Sequence, residues 1–168
     1  TPRLLRGELL LEDGKALEAR ALYEEARELD KDCAEAWRGV GQCLIALGEE
    51  ARGRLNMGTG WMIAGELEAA LTEIGLAIDI APDLAEAHAN RGAVLKRLER
   101  YEDAAAAYQA ALVLDPNALP LLQNLGLLLC RDLGREEEGL AVLRKLVRLD
   151  PGRWFKLPSD LRTKVDQA

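Results

Sequence analysis

The feature that most constrains this chain is a period of 34 residues. It is carried by three asparagines, at intervals of 34 residues (90 − 56 and 124 − 90): Asn56, Asn90 and Asn124. Prolines repeat at the same period, with one inserted residue before the last: Pro82, Pro116 and Pro151. A period of this length indicates a stack of helix pairs, in which each pair buries its apolar face against the next.

Composition favours an all-α protein that folds in water. Hydrophobic residues make up 49% of the 168 residues, charged residues 30% and aromatic residues only 4%, a mixture typical of helices rather than strands. The formal net charge of −7 argues against nucleic acid as a partner, because phosphate binding needs a basic surface. No apolar run reaches the roughly 18 residues of a membrane span, so we expect no membrane partner.

The sequence offers little for catalysis or metal binding. It contains no phosphate loop, nucleophile elbow or HExxH motif, and His88 is its single histidine. We therefore expect no enzyme activity, no cofactor and no metal, and packing as the role of His88. The chain begins at Thr1, which suggests excision from a longer protein and leaves a removed catalytic domain open.

The cysteines indicate a reducing compartment. Cys33, Cys43 and Cys130 are odd in number and form no CxxC pair, so free thiols are the simpler interpretation and a cytoplasmic location follows. Each thiol is expected to act as a small core hydrophobe.

One unit, 85–118, shows the repeat most clearly. Apolar residues recur at helical spacing over 85–98 and again over 101–114, and Asp115-Pro116 ends the second helix. The unit resembles the tetratricopeptide repeat (TPR) family at these positions: His88, Arg91-Gly92, Leu95, Ala104, Tyr108, Ala111 and Pro116. His88 and Arg91 depart from the usual Trp and Leu. The resemblance implies a right-handed solenoid of antiparallel helix pairs.

The same pattern divides the chain into six parts, with one extra residue near Cys130–Gly134. The predicted parts are a first repeat with a truncated first helix (1–33), an orphan half-repeat (34–50), three repeats (51–84, 85–118 and 119–151) and a C-terminal capping tail (152–168). The half-repeat is predicted because Trp37, Val40-Gly41 and Leu44 match a first helix, but a second first-helix pattern follows half a period later.

Segment 48–65 opposes helix formation, because it holds five glycines and glycine costs about 1 kcal/mol relative to alanine inside a helix. A helix held by packing, a partly unwound segment and a flexible loop are all open, and the register of Asn56 favours the helix. The tail has two interpretations. Trp154, Phe155, Leu157, Leu161 and Val165 either cover the last repeat or dock onto a neighbouring molecule, and the cap is favoured.

The three asparagines, here called the asparagine row, are the candidate site. Each amide offers hydrogen-bond donors and an acceptor, and a row of amides suits the backbone of an extended peptide. The row resembles the asparagine ladder in the TPR superhelix of O-linked N-acetylglucosamine transferases, which implies peptide-backbone binding in the concave groove. The alternative is that each asparagine bonds a neighbouring helix and holds the superhelix together.

Basic residues near the groove give a second expectation. Lys96, Arg97 and Arg131 either attract acidic residues of a peptide or are solvated helix ends. A carboxylate clamp made of Arg38, Gln42 and Asn56 is disfavoured, because Ala89 and Ala93 stand where its third helix needs basic residues.

The sequence therefore predicts a non-catalytic scaffold that binds a protein or peptide through the asparagine row. Two alternatives remain open. One is a self-assembling protein, a homo-oligomer formed through the tail, the half-repeat or the open solenoid end. The other is a regulatory or substrate-recruiting segment of a larger enzyme.

Overall fold

The computed structural model describes residues 2–166, so Thr1 and the last two residues of the predicted tail lie outside the described residues. The described chain is all-α. Ten α-helices follow one another: α1 (Pro2–Glu12), α2 (Ala16–Leu29), α3 (Ala34–Ala46), α4 (Glu50–Ala64), α5 (Leu67–Ile80), α6 (Ala85–Arg97), α7 (Tyr101–Leu114), α8 (Leu119–Leu127), α9 (Glu136–Leu149) and α10 (Ser159–Asp166). A π-turn (Leu128–Asp132) extends α8, and a 3-10 turn (Pro151–Lys156) precedes α10.

Two kinds of turn connect these helices. Turns of the first kind contain a residue with positive φ, which is usually glycine because it has no side chain to clash: Gly14, Gly48, Gly65, Glu99 and Gly134. Turns of the second kind begin with a residue whose φ lies between −142° and −130°, after α2, α5, α7 and α9. A turn of the first kind stands on each side of α4, at Gly48 and at Gly65. Helix α4 therefore follows α3 as the second helix of a repeat does, and it precedes α5 as the first helix of a repeat does.

Alternate helices lie side by side. Each helix packs on its neighbours in the chain, α1 also packs on α3, and α4 also packs on α6. A hydrogen bond between Arg27 and Asn56 joins α2 to α4. An ion pair between Lys96 and Asp132 joins α6 to the π-turn that extends α8. Helices α2, α4, α6 and α8 therefore form one side of the array, here called the even face.

Segment 48–65 contains a continuous helix, α4, which confirms the favoured prediction. Its glycines let it approach two helices at once. A Cβ added at Gly41 of α3 would lie 2.6 Å from the carbonyl oxygen of Gly53, and one added at Gly60 would lie 2.8 Å from that of Ala34. On another side of α4, a Cβ at Gly58 would meet Ile74 of α5 at 2.6 Å. Close packing on both sides thus offsets the low helix propensity of this segment.

The extra residue of the last repeat is absorbed in the π-turn. The Leu133 amide donates to the Leu128 carbonyl at 3.1 Å, a bond that spans five residues instead of four. The helix thus accommodates one residue more than the repeat requires and stays continuous up to the turn at Gly134.

The tail is a cap, as predicted. Leu157, Leu161 and Val165 are buried in one cluster with apolar residues of α8 and α9: Leu122, Leu140, Leu143 and Leu146. Phe155 stays exposed and meets Trp154 edge-on, with ring centroids 5.1 Å apart. The tail therefore covers the apolar end of its own chain.

The three cysteines and His88 were expected to pack against other residues, and their surroundings test this expectation. Cys43 is fully buried, and burial raises the pKa of its thiol to about 11, as expected of a core hydrophobe; Cys33 and Cys130 are half-buried. A ring nitrogen of His88 lies 2.9 Å from the Pro82 carbonyl oxygen.

Within residues 2–166, no helix combines the length and apolar character that crossing a bilayer demands.

The close contact between α3 and α4 makes glycine necessary at Gly41. We expect Gly41→Ala to lower the free energy of unfolding by about 1–3 kcal/mol, because the new methyl group overlaps a backbone oxygen. Gly75→Ala is the matched control: its Cβ enters open space in the middle of α5, so it should stabilise by about 0.5–1 kcal/mol. Urea denaturation followed by circular dichroism measures both, and equal effects would contradict the role of Gly41.

Candidate functional site

The asparagine row lies on three successive helices of the even face. Asn56 is on α4, Asn90 on α6 and Asn124 on α8, at positions that the 34-residue period makes equivalent. The surroundings of the three amides differ, and the difference decides how much hydrogen-bonding capacity each retains.

The Asn90 amide bonds the preceding helix of the even face. Its Nδ2 donates to Oγ1 of Thr59 at 3.1 Å, and the Thr59 hydroxyl donates in turn to the Leu55 carbonyl at 3.0 Å. Thr59 is only 8% exposed, so this chain of bonds lies in the seam between α4 and α6. One N–H and the oxygen of Asn90 remain available, because an amide has two N–H donors and an acceptor oxygen with two lone pairs.

The Asn56 amide has a partner at each end. Its Nδ2 donates to the carbonyl of Arg52, one turn earlier in α4, at 2.8 Å. Its oxygen accepts from Nη1 of Arg27 in α2 at 3.4 Å. Asn56 therefore keeps one N–H and one lone pair for an additional partner.

The Asn124 side chain is exposed and has no hydrogen-bond partner within residues 2–166. The repeat explains why: Ala93 occupies the place in α6 that Thr59 occupies in α4, one period earlier, and a methyl group cannot accept a hydrogen bond. The free capacity of the row thus rises from Asn56 through Asn90 to Asn124.

The three basic residues predicted for the site all have partners. Lys96 Nζ lies 3.7 Å from a carboxylate oxygen of Asp132. Arg131 pairs with Asp160 of α10 at 3.1 Å. Arg97 donates to the Met62 carbonyl, near the C-terminal end of α4, at 2.6 Å. The two partly exposed ion pairs, of Lys96 and Arg131, contribute about 0–1 kcal/mol each, so a ligand carboxylate competes with them at modest cost.

The disfavoured carboxylate clamp is not assembled. Arg38 is on α3, which belongs to the other set of alternate helices. Its guanidinium lies over the ring of Trp61, at 4.3 Å from the ring centroid. Gln42 is also on α3, so neither residue joins Asn56 on the even face.

Sequence reasoning missed two residues that contact the row, Thr59 and Arg27. The signal for Thr59 was its spacing, three residues after Asn56 and one helical turn further along the same helix. The signal for Arg27 was the predicted orphan half-repeat, because one additional helix would place α2 on the side of α4. Arg27 also lies over the ring of Trp37, at 4.6 Å from its centroid.

Between α2, α4 and the start of α6, the even face holds a cavity of about 280 Å³. Buried Val40, Leu44 and Leu55 form its apolar floor. Charged and polar side chains form its walls: Arg20, Glu24, Arg27, Glu49, Arg52, Asn56 and Glu86. Within the described residues, no group of three or more His, Cys, Asp or Glu side chains is arranged to hold a metal ion.

Three family models described as "Tetratricopeptide repeat" match the chain, over residues 10–59, 85–118 and 119–153. These segments cover more than half of the sequence. The chain belongs to the tetratricopeptide repeat family.

Solved structures show the same fold. MamA superposes with a TM-score of 0.61 at 18% identity, over 88% of this chain and 95% of the MamA chain. YrrB, described as a TPR protein with an unusual peptide-binding site, gives a TM-score of 0.56 at 19% identity, over 100% of this chain and 92% of its own.

A curated relative from Schizosaccharomyces pombe (strain 972 / ATCC 24843), "DnaJ homolog subfamily C member 7 homolog", is 29% identical over 120 residues. The match covers 69% of this chain and 24% of the relative, so the chain spans about a quarter of that protein. TPR repeats form protein–protein interaction scaffolds, and this chain is such a scaffold. Proteins of this family are in general not catalytic.

The contact between Thr59 and Asn90 should stabilise the seam between α4 and α6. We expect Thr59→Val to lower the free energy of unfolding by about 1 kcal/mol, because valine keeps the shape and removes the acceptor for Asn90. Thr72→Val is the matched control: Thr72 donates to the Glu68 carbonyl in the same way but is exposed and has no second partner in the described chain.

A double-mutant cycle with Asn90→Ala tests the contact directly. Thr59→Val and Asn90→Ala should be non-additive by more than 0.5 kcal/mol, whereas Thr72→Val and Asn90→Ala should add. Urea denaturation of the three single variants, the two double variants and the wild type provides the values. Additivity in both cycles would mean that the hydrogen bond contributes nothing.

Proposed function

We propose that this TPR scaffold binds an extended peptide, or a disordered segment of a partner protein, along the even face through the asparagine row. The observation that supports the proposal most is the free capacity of the amides. Each retains at least one N–H and one lone pair, and Asn124 retains all of its groups.

The spacing of the row suits a peptide backbone. An extended strand advances about 3.3 Å per residue, and neighbouring packed helices lie about 8–10 Å apart. One amide then meets about every third residue of the strand. Backbone bonds of this kind tolerate many sequences, and neighbouring pockets choose among them. YrrB, which has the same fold, is described as a TPR protein with an unusual peptide-binding site, so a peptide is a reasonable class of ligand for this chain.

The basic residues have a secondary role in the proposal. Lys96 and Arg131 already form ion pairs and Arg97 donates to a backbone carbonyl, so an acidic segment of the ligand would replace existing partners of all three. They should affect the rate of association and its salt dependence more than affinity. The free thiols of the three cysteines accord with the reducing cytoplasm in which we place this interaction.

Self-assembly through the tail has less support. The apolar side chains of α10 are buried in their own chain, and the glycines of α4 are enclosed by close packing, which does not favour a hinge there. We therefore place the partner on the even face.

Removal of two amides tests the proposal. Random 12-residue peptides are displayed on phage, selected on the wild-type chain and synthesised. We expect Asn90→Ala/Asn124→Ala to bind the selected peptides at least about tenfold more weakly, since each lost hydrogen bond contributes about 1 kcal/mol. Fluorescence anisotropy with labelled peptides provides the dissociation constants.

Asn117→Ala is the matched control, because Asn117 is an exposed asparagine in the turn between α7 and α8. It should leave peptide affinity unchanged. Circular dichroism melts establish that the double variant is folded. Unchanged affinity in a folded double variant would refute the asparagine row as the binding site.

A further inference from the structure

The even face continues beyond the asparagine row onto a helix of a different type. In 51–151, this face presents the first helix of each predicted repeat, whereas before α4 it presents α2. The contact between Arg27 and Asn56 joins α2 to the row directly. A strand that follows the row past Asn56 therefore reaches a helix that carries charged groups in place of an amide.

Arg27 is the cation of this region that lacks a carboxylate partner. Arg20 pairs with Glu24 at 2.8 Å and with Glu49 at 3.7 Å, and Arg52 pairs with Glu49 at 3.3 Å. Among residues 2–166, no carboxylate lies within salt-bridge distance of Arg27; its partners are the neutral oxygen of Asn56 and the ring of Trp37.

The arrangement around Arg27 suits a carboxylate. A guanidinium offers five N–H donors in a planar fork that matches two carboxylate oxygens, and Arg27 uses one of them in a long bond of 3.4 Å. Stacking on Trp37 holds the fork in place before a ligand arrives, which lowers the entropy lost on binding.

Of the three glutamates in the cavity, Glu24 and Glu49 are paired with arginines, and Glu86 is the remaining negative charge. It is exposed at the start of α6 and, in the described chain, has no ion-pair partner. It repels a second negative charge near the rim, so the cavity accepts one carboxylate rather than an acidic run.

We infer that Arg27 is a specificity-determining residue that selects one carboxylate in the bound strand, at the end of the asparagine row next to Asn56. This inference rests on the proposed function, since it places the carboxylate in a strand held by the row. The carboxylate belongs either to an Asp or Glu side chain or to a free C-terminus, and the experiment separates the two.

The peptides selected by the phage display are the probes. In wild-type selections, we expect Asp or Glu at a constant distance from the other selected residues. Replacing that residue by Asn or Gln should weaken binding to the wild type about tenfold, the effect of one charge-assisted pair. Arg27→Gln should bind both forms of the peptide equally, and Arg27→Lys should recover part of the preference because it keeps the charge.

Free-acid and amidated forms of each peptide identify the source of the carboxylate. A C-terminal site requires that amidation, and not replacement of an internal acidic residue, removes the preference. Arg6→Gln is the charge-matched control, on the exposed side of α1, and should leave the preference unchanged. Glu86→Gln should strengthen binding of the acidic peptides while keeping their dependence on Arg27.

The outcomes separate this inference from the proposed function. Peptides that depend on the asparagine row and show no acidic preference, or a preference that persists in folded Arg27→Gln, overturn the inference and leave the proposed function standing. An acidic preference that depends on Arg27, in peptides indifferent to Asn90→Ala/Asn124→Ala, overturns the proposed function and leaves the role of Arg27 standing. Selections that yield no binding peptide overturn both.

Discussion

The position of α4 between α3 and α5 decides the arrangement of the rest of the molecule. Helices of a solenoid alternate between two sides, so one additional helix exchanges the sides of everything before it. The exchange requires a helix that fits closely against two partners at once. Gly53 and Gly60 allow the approach to α3, and Gly58 allows the approach to α5. The stabilisation comes from packing, which can exceed the propensity cost of about 1 kcal/mol for each glycine.

The exchange of sides changes what the even face contains. Without α3, the helix next to α4 on this face would be the first helix of a repeat. The neighbours α4 and α6 are an example, because each is the first helix of its predicted repeat. With α3, the helix next to α4 is α2, which contributes Arg20, Glu24 and Arg27 to a cavity beside Asn56. The helix that we predict to be an orphan half-repeat, α3, is thus accompanied by a face with an uncharged row at one end and a charged cavity at the other.

The fold was predictable from the sequence because its signals are local. The 34-residue period, the prolines after the second helices and the small residues within them each depend on a few neighbours in the chain, and the all-α TPR solenoid with its cap is confirmed. The division into repeats with an orphan half-repeat stays a prediction. The extra residue was also visible, but its form, a π-turn that continues α8, depends on how α9 and the cap pack around it.

The partners of the site residues were not predictable in the same way, because they join helices that are distant in the sequence. Lys96 pairs with Asp132, and Arg131 pairs with Asp160, only because the π-turn and the cap bring these carboxylates near. Arg27 reaches Asn56 because of the exchange of sides. Periodicity identifies equivalent positions, whereas the contacts depend on the residues where the repeats differ.

The asparagine row places one repeated residue in two different environments. In α4, which precedes α6 on the even face, Thr59 accepts a hydrogen bond from Asn90, so part of the Asn90 amide stabilises the seam between these helices. The equivalent residue of α6 is Ala93, so the Asn124 amide forms no bond within residues 2–166 and is exposed. A purely structural role would require an acceptor at each seam, and a purely ligand-binding role would require none. The observed gradient means that the same side chain holds the array together near its middle and keeps its full hydrogen-bonding capacity near its C-terminal end, where the strand that we propose as ligand would meet the least competition from the protein itself.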